Sequence, residues 1–144
     1  MLACRSAILI SLFVAATGHA FAENFPTAPP KLKEAEAQGL QRVSMDELKQ
    51  LIPGTLITKG TTGKHKRTFK PDGSIDRTGY GVMESTGTWR FDEKHTAYCN
   101  AFKGKKAFRE NCFAVFRAPD GIHYFDYEIN TGHYSHVWRR AAGE

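Results

Sequence analysis

From Thr55 to the C-terminal end, apolar and polar residues alternate with a period of two, and turn-forming residues interrupt the pattern about every ten positions. The alternating segments are Thr55 to Lys59, Lys64 to Phe69, Ser74 to Thr78, Gly87 to Phe91, Thr96 to Asn100, Cys112 to Arg117, Ile122 to Ile129 and Tyr134 to Arg139. Lys70-Pro71-Asp72-Gly73 and Ala118-Pro119-Asp120-Gly121 each place Pro ahead of Asp-Gly, where glycine accepts a positive φ, so both predict tight hairpins. Closing such a meander into a small barrel removes the exposed edges that would otherwise pair with other chains. The expected fold is mainly β: an antiparallel, seven- or eight-stranded, barrel-like meander with one short N-terminal α-helix.

That helix is announced by Ser44, placed to cap the N–H of Glu47 while Glu47 reaches back, with Val43 and Leu48 in the positions of a hydrophobic staple. Met45, Leu48, Leu51 and Ile52 form one apolar stripe and Pro53-Gly54 ends it, which suits a lid or plug. Upstream, Lys31 to Gln41 has only a thin apolar face and reads as a frayed helix, and Glu23 to Pro30 reads as an extended spacer. The chain therefore divides into 1–22 as an export signal, 23–42 as an extended or partly disordered leader, and 43–144 as a single β-rich domain.

Alternation also sorts faces. On the last long strand His123, Phe125, Tyr127 and Ile129 share one side and read as the core face, against Ile122, Tyr124, Asp126 and Glu128 on the other. Gly87, Trp89 and Phe91 likewise share a side. Trp89, Phe91, His123, Phe125 and Tyr127 are the candidate lining of an interior pocket.

The opening of the chain sets the compartment. Arg5 is followed by the apolar run Ala7 to Ala16 and by Ala20-Phe21-Ala22, the small-x-small pattern of a cleavage site, so the exported protein should begin near Glu23. A run of about ten residues is half of what a bilayer core requires, so no transmembrane span is expected in the exported chain. The full sequence of 144 residues carries a net charge of +5, and losing Arg5 lowers it by one. So mild an excess on an exported chain argues against nucleic acid and for anionic envelope material as the attraction. Of the three cysteines Cys4 leaves with the signal; Cys99 and Cys112, in an oxidising compartment, are expected to pair and to contribute about 3 kcal/mol.

Catalytic chemistry finds little to stand on. His65, His95, His123, His133 and His136 lack metal-ligand spacing, and His123 is the one histidine that suits a pocket. Gly60-Thr61-Thr62-Gly63-Lys64-His65 fails as a phosphate loop, because His follows the lysine and no helix opens there. Asp126 and Glu128 share a face as an acid/base pair would, but nothing separates their proton affinities, and a solvated polar face is the simpler reading. No serine sits in a nucleophile elbow. No catalytic residue, metal ligand or cofactor is assigned. Two basic clusters lie near hairpins and aromatics: Lys64, Lys66 and Arg67 beside Phe69, and Lys103, Lys105, Lys106 and Arg109 beside Phe102 and Phe108. Such surfaces hold anionic sugars or head groups by charge and stacking.

Leu51-Ile52-Pro53-Gly54-Thr55, Phe69-x-x-Asp72-Gly73, Ser85-x-Gly87-Thr88-Trp89, Tyr98-Cys99 and Cys112 together resemble the DUF995 family of small exported alphaproteobacterial proteins, over about Val43 to Trp138. The resemblance implies a bacterial, rhizobial-type envelope protein with a paired cysteine couple, and supplies no active-site residue. The expected function is non-catalytic binding in the periplasm or envelope, of a small apolar ligand inside the barrel or of an anionic glycan or envelope protein on the basic loops. The alternative is an inhibitor or accessory partner of an envelope enzyme, acting through the loop Phe102 to Glu110.

Overall fold

The period-two segments close on themselves. In the computed structural model, which describes residues 24–61, 63–79, 84–104 and 109–143, eight strands run as β1 (Gly54–Gly60), β2 (Gly63–Phe69), β3 (Ser74–Thr78), β4 (Ser85–Asp92), β5 (Ala97–Phe102), β6 (Asn111–Arg117), β7 (Tyr124–Glu128) and β8 (Tyr134–Arg140). Each pairs antiparallel with the next and β8 returns to β1, so the sheet is a closed up-and-down barrel. All eight expected segments are strands. The seventh starts two residues late because Asp120 Oδ1 accepts the backbone N–H groups of Ile122 and His123 and holds both in the turn. The Lys70–Gly73 hairpin closes as its composition demands, with Gly73 at φ +84° and Asp72 Oδ1 accepting the Ser74 N–H. Among the described residues no helix is long and apolar enough to cross a membrane.

Two apolar layers lie on the two sides of this sheet. The inner one gathers Leu56, Phe69, Ile75, Tyr98, Phe113, Val115, Tyr124 and Trp138 from seven of the strands. One end of the barrel is stoppered by α2 (Met45–Leu51), which adds Leu48, with Val43 and Ile52 beside it, to the same cluster. The expected plug is therefore present. Ser44 Oγ accepts the Glu47 N–H at 3.3 Å, but the Glu47 side chain does not complete the reciprocal cap. Its carboxylate is drawn instead to Arg117 on the barrel rim, and Arg140 Nη1 donates to the Gln50 carbonyl at 2.6 Å, so the helix is tied to the strands by charge as well as by apolar burial.

The outer layer corrects two expectations. Ala114, Phe116, Phe125, Tyr127 and Val137 point away from the barrel axis, yet they are buried, because residues 24–42 lie across them. Phe25, Ala28, Leu32 and Leu40 pack onto this face, with Ala35 of α1 (Leu32–Ala37) fully covered. Backbone and side-chain bonds fix the strap: Leu32 N to Gly132 O at 2.8 Å, Tyr134 N to Pro30 O at 3.0 Å, and the Tyr127 hydroxyl to Pro29 O at 2.9 Å. The segment is no spacer, and Phe125 and Tyr127 belong to the outside of the barrel rather than to its core face. Cys99 and Cys112 stand opposite each other across β5 and β6 and are joined, with an S–S distance of 2.01 Å.

Candidate functional site

The inward positions of β1, β2, β5, β7 and β8 carry polar side chains that meet near the axis. Asp126 Oδ2 accepts Arg67 Nη2 at 3.0 Å and the Tyr98 hydroxyl at 2.6 Å, and its Oδ1 accepts Trp138 Nε1 at 2.6 Å. Arg67 also donates Nε to Thr58 Oγ1 at 3.0 Å and Nη1 to the Tyr98 oxygen at 2.8 Å. Strands that are not neighbours in the sheet can share a carboxylate only across the lumen, so this contact set is what identifies Asp126, and not Phe125, as inward-facing. All five residues are buried.

Burial pushes the Asp126 carboxyl up from its ordinary range, while Arg67, Tyr98 and Trp138 pull it back. Burial also works against the charge of Arg67, but Tyr98 and Asp126 hold its guanidinium above its ordinary value. Burial drives the Tyr98 phenol well up, so it stays protonated and serves as a donor. With three donors on its two oxygens the carboxylate is held in place, and the knot occupies the centre of the lumen. Two residues are thereby reassigned: Arg67 leaves the basic surface, and Asp126 leaves the solvated face and its pairing with Glu128. Their burial follows from the alternation of β2, in which His65, Arg67 and Phe69 point in while Lys64 and Lys66 point out.

Above the knot, at the end of the barrel away from α2, stand His65, His136 and Arg77. The two imidazole centroids are 5.8 Å apart. Burial, then the charge of Arg67, lowers His65 to about 4, and burial with Arg67, His65 and Arg77 takes His136 well below its usual value. Both rings are neutral at pH 7. The Arg77 guanidinium lies 4.6 Å from the Phe102 ring centroid and gives its Nε to Ser85 Oγ at 3.2 Å.

On the outer face, strand pairing sets Lys59 beside Lys64, and Arg139, Ile57 and Lys66 in one row. A shallow, mainly apolar groove of about 410 Å³ runs among Ile57, Lys64, His65, Lys66, Thr78 and Gly79. Lys64 also reaches over the Phe25 ring at 5.3 Å. Of the second basic cluster, Lys103 is fixed by its backbone N–H on Thr86 O at 2.9 Å and Arg109 is exposed, while Lys105 and Lys106 lie outside the described residues.

The five residues expected to line one pocket are not brought together. Trp89 and Phe91 pack on the inner cluster near the plug, with Trp89 Nε1 on Lys70 O at 2.8 Å. Phe125 and Tyr127 lie under the N-terminal strap, and His123 is held by Asp120 at 2.7 Å and faces the Phe25 ring. Asp92, Cys99 and Cys112 offer ligand atoms within 4.8 Å of one another, but the sulfurs are already joined and offer no thiolate. Comparison with protein-family models, curated proteins and solved structures finds no match to this chain.

Proposed function

We propose that this is a non-catalytic binding protein of the periplasm or envelope that takes an anionic envelope polymer on the outside of its barrel. The observation that carries the reading is the occupied lumen: Trp138, Tyr98, Arg67, Phe69, Leu56 and Ile75 are all buried there, which favours the outer face over an interior apolar site. The outer rows of β1 and β2 supply the alternative surface, with Lys59, Lys64 and Lys66 exposed around the Ile57 groove. Directly opposed like charges destabilise a strand pair, and a polyanion lying along the rows relieves that repulsion. The Cys99–Cys112 disulfide and the lack of a membrane-spanning helix among the described residues agree with export, which together with membership of the DUF995 family belongs to this proposal.

Retention of the purified protein on an immobilised polyuronate, with uncharged dextran as control, tests the reading. Elution above physiological salt, shifted to lower salt by the double change Lys59→Glu and Lys66→Glu, is the expected result. Equal behaviour on both matrices, or indifference to the charge reversal, overturns it.

A further inference from the structure

Independently of the outer face, we propose that the open end of the barrel is a binding site for a small oxyanion, a carboxylate or phosphate group, with Arg77 as its charge and His65 and His136 as its neutral imidazole partners. Three observations at that end of the barrel support it.

The first is an arginine without an acid. Arg77 is half-buried, and no carboxylate among the described residues lies within salt-bridge distance of it. Its register partner on β2 is Arg67, whose own charge is spent on Asp126. Asp76, the nearest acid along β3, is 2.7 Å from Lys70 on the other face of the sheet. Burial and the neighbouring guanidinium both disfavour the Arg77 charge, so a bound anion would remove a cost the fold now carries. With Nε on Ser85 and one face against Phe102, the guanidinium keeps its two terminal nitrogens for the bidentate geometry that carboxylates and phosphates accept.

The second is an orphaned ring. His65 is only 5 % exposed, and its Nδ1 makes no hydrogen bond of proper geometry although the Gly63 backbone lies close enough to favour the proton slightly. His65 and Arg77 both point into the barrel on adjacent strands, and the fields of Arg67 and Arg77 reach both imidazoles. The third is access. A groove of about 440 Å³ lined by Arg77, Ser85, Thr86 and Lys103, together with Asp76, Thr78 and Glu84, opens beside the guanidinium. Lys103 adds a second cation to the approach.

The histidines make the site its own reporter. An anion seated between Arg77 and the rings favours the imidazolium, so it should raise His65 from about 4, the groups facing that ring being Arg67, Arg77, His136 and the Gly63 backbone; His136 faces Arg67, Arg77 and His65, with its Nδ1 2.8 Å from Ser135 Oγ and 3.9 Å from Asp126 Oδ2. The test is a side-chain nitrogen NMR titration of the purified protein with inorganic phosphate, and separately with acetate, against chloride at equal ionic strength. Saturable shifts of the His65 and His136 resonances with either anion support the site, and the stronger of the two identifies the group it prefers. Arg77→Gln should weaken binding by at least about tenfold, while Arg77→Lys retains part of it. If Arg77→Gln does not fold, the pair Ser85→Ala and His65→Gln serves in its place. Shifts no larger than those in chloride, or equal affinity in the variants, overturn the proposal. The outer-face change Lys59→Glu with Lys66→Glu should leave the phosphate titration untouched, so the two binding readings fail separately.

Discussion

Arg67 and Asp126, 59 residues apart in the chain, meet at 3.0 Å in the centre of the barrel with side chains 2 % and 0 % exposed. An ion pair so far from water needs further hydrogen bonds to offset its desolvation, and Thr58, Tyr98 and Trp138 supply one to each nitrogen or oxygen that the pair itself leaves open.

Removing one partner should therefore cost far more than removing both. Asp126→Leu leaves a buried guanidinium uncompensated and should lower stability by about 3–5 kcal/mol. Arg67→Met combined with Asp126→Leu should cost clearly less than the two single changes together. Urea denaturation of the three variants measures this, and additive losses would refute the coupling.

Stability should fall on mild acidification because of the mouth histidines. In the unfolded chain an imidazole takes its proton near pH 6.5, but His65 in the fold resists until about 4. A depressed folded value means that the unfolded state binds more protons below 6.5, so stability is full above that pH and declines down to about 4. His136 acts in the same direction. His65→Gln should flatten the profile between those limits, as followed by thermal unfolding at a series of pH values. An unchanged slope would show that the ring titrates as an exposed histidine does.

Gly87 admits no side chain. A Cβ built there would lie 2.1 Å from the Ala101 carbonyl oxygen of the neighbouring strand, a contact that only backbone movement could relieve. Gly87→Ala should cost at least about 2 kcal/mol. Gly132→Ala, where nothing lies within 4 Å and only the positive φ is disturbed, should cost about 1 kcal/mol. Comparable losses at the two sites would refute the steric account.

Reduction of the Cys99–Cys112 bond should leave a folded barrel that is about 3 kcal/mol less stable, the loop between the cysteines being short and its ends already paired in the sheet. Denaturation with and without reductant, checked against a double serine variant, gives the value. Complete unfolding on reduction would mean that the bond closes the barrel rather than reinforcing it.

The strands, the plug helix, the two hairpins and the cysteine pair were legible in the sequence because each rests on local signals: alternation, a capping serine, Pro-Asp-Gly turns, and two cysteines on neighbouring strands. The choice of inner face was not. On β7 both faces are buried, since Phe125 and Tyr127 are covered from outside by residues 24–42, and alternation separates two faces without saying which is the lumen. The polar members misled for the same reason. Asp126 and Arg67 look like solvent-facing charges until the barrel closes and supplies each with the other, a contact no local pattern encodes. One available signal was overlooked: in Lys64-His65-Lys66-Arg67 the alternation that continues to Phe69 already puts Arg67 on the apolar side.

The strap across β6, β7 and β8 sets an order of events. Its residues are the first of the described chain to be made, yet the surface that receives Phe25, Leu32 and Leu40 exists only when the last strands have arrived. The seam between β1 and β8 waits on the same late arrival. Without β8 the wall between β1 and β7 stays open and the strap loses Val137 and Tyr134 from its resting place, so the first-made residues of the described chain settle only after the last-made strand is in position.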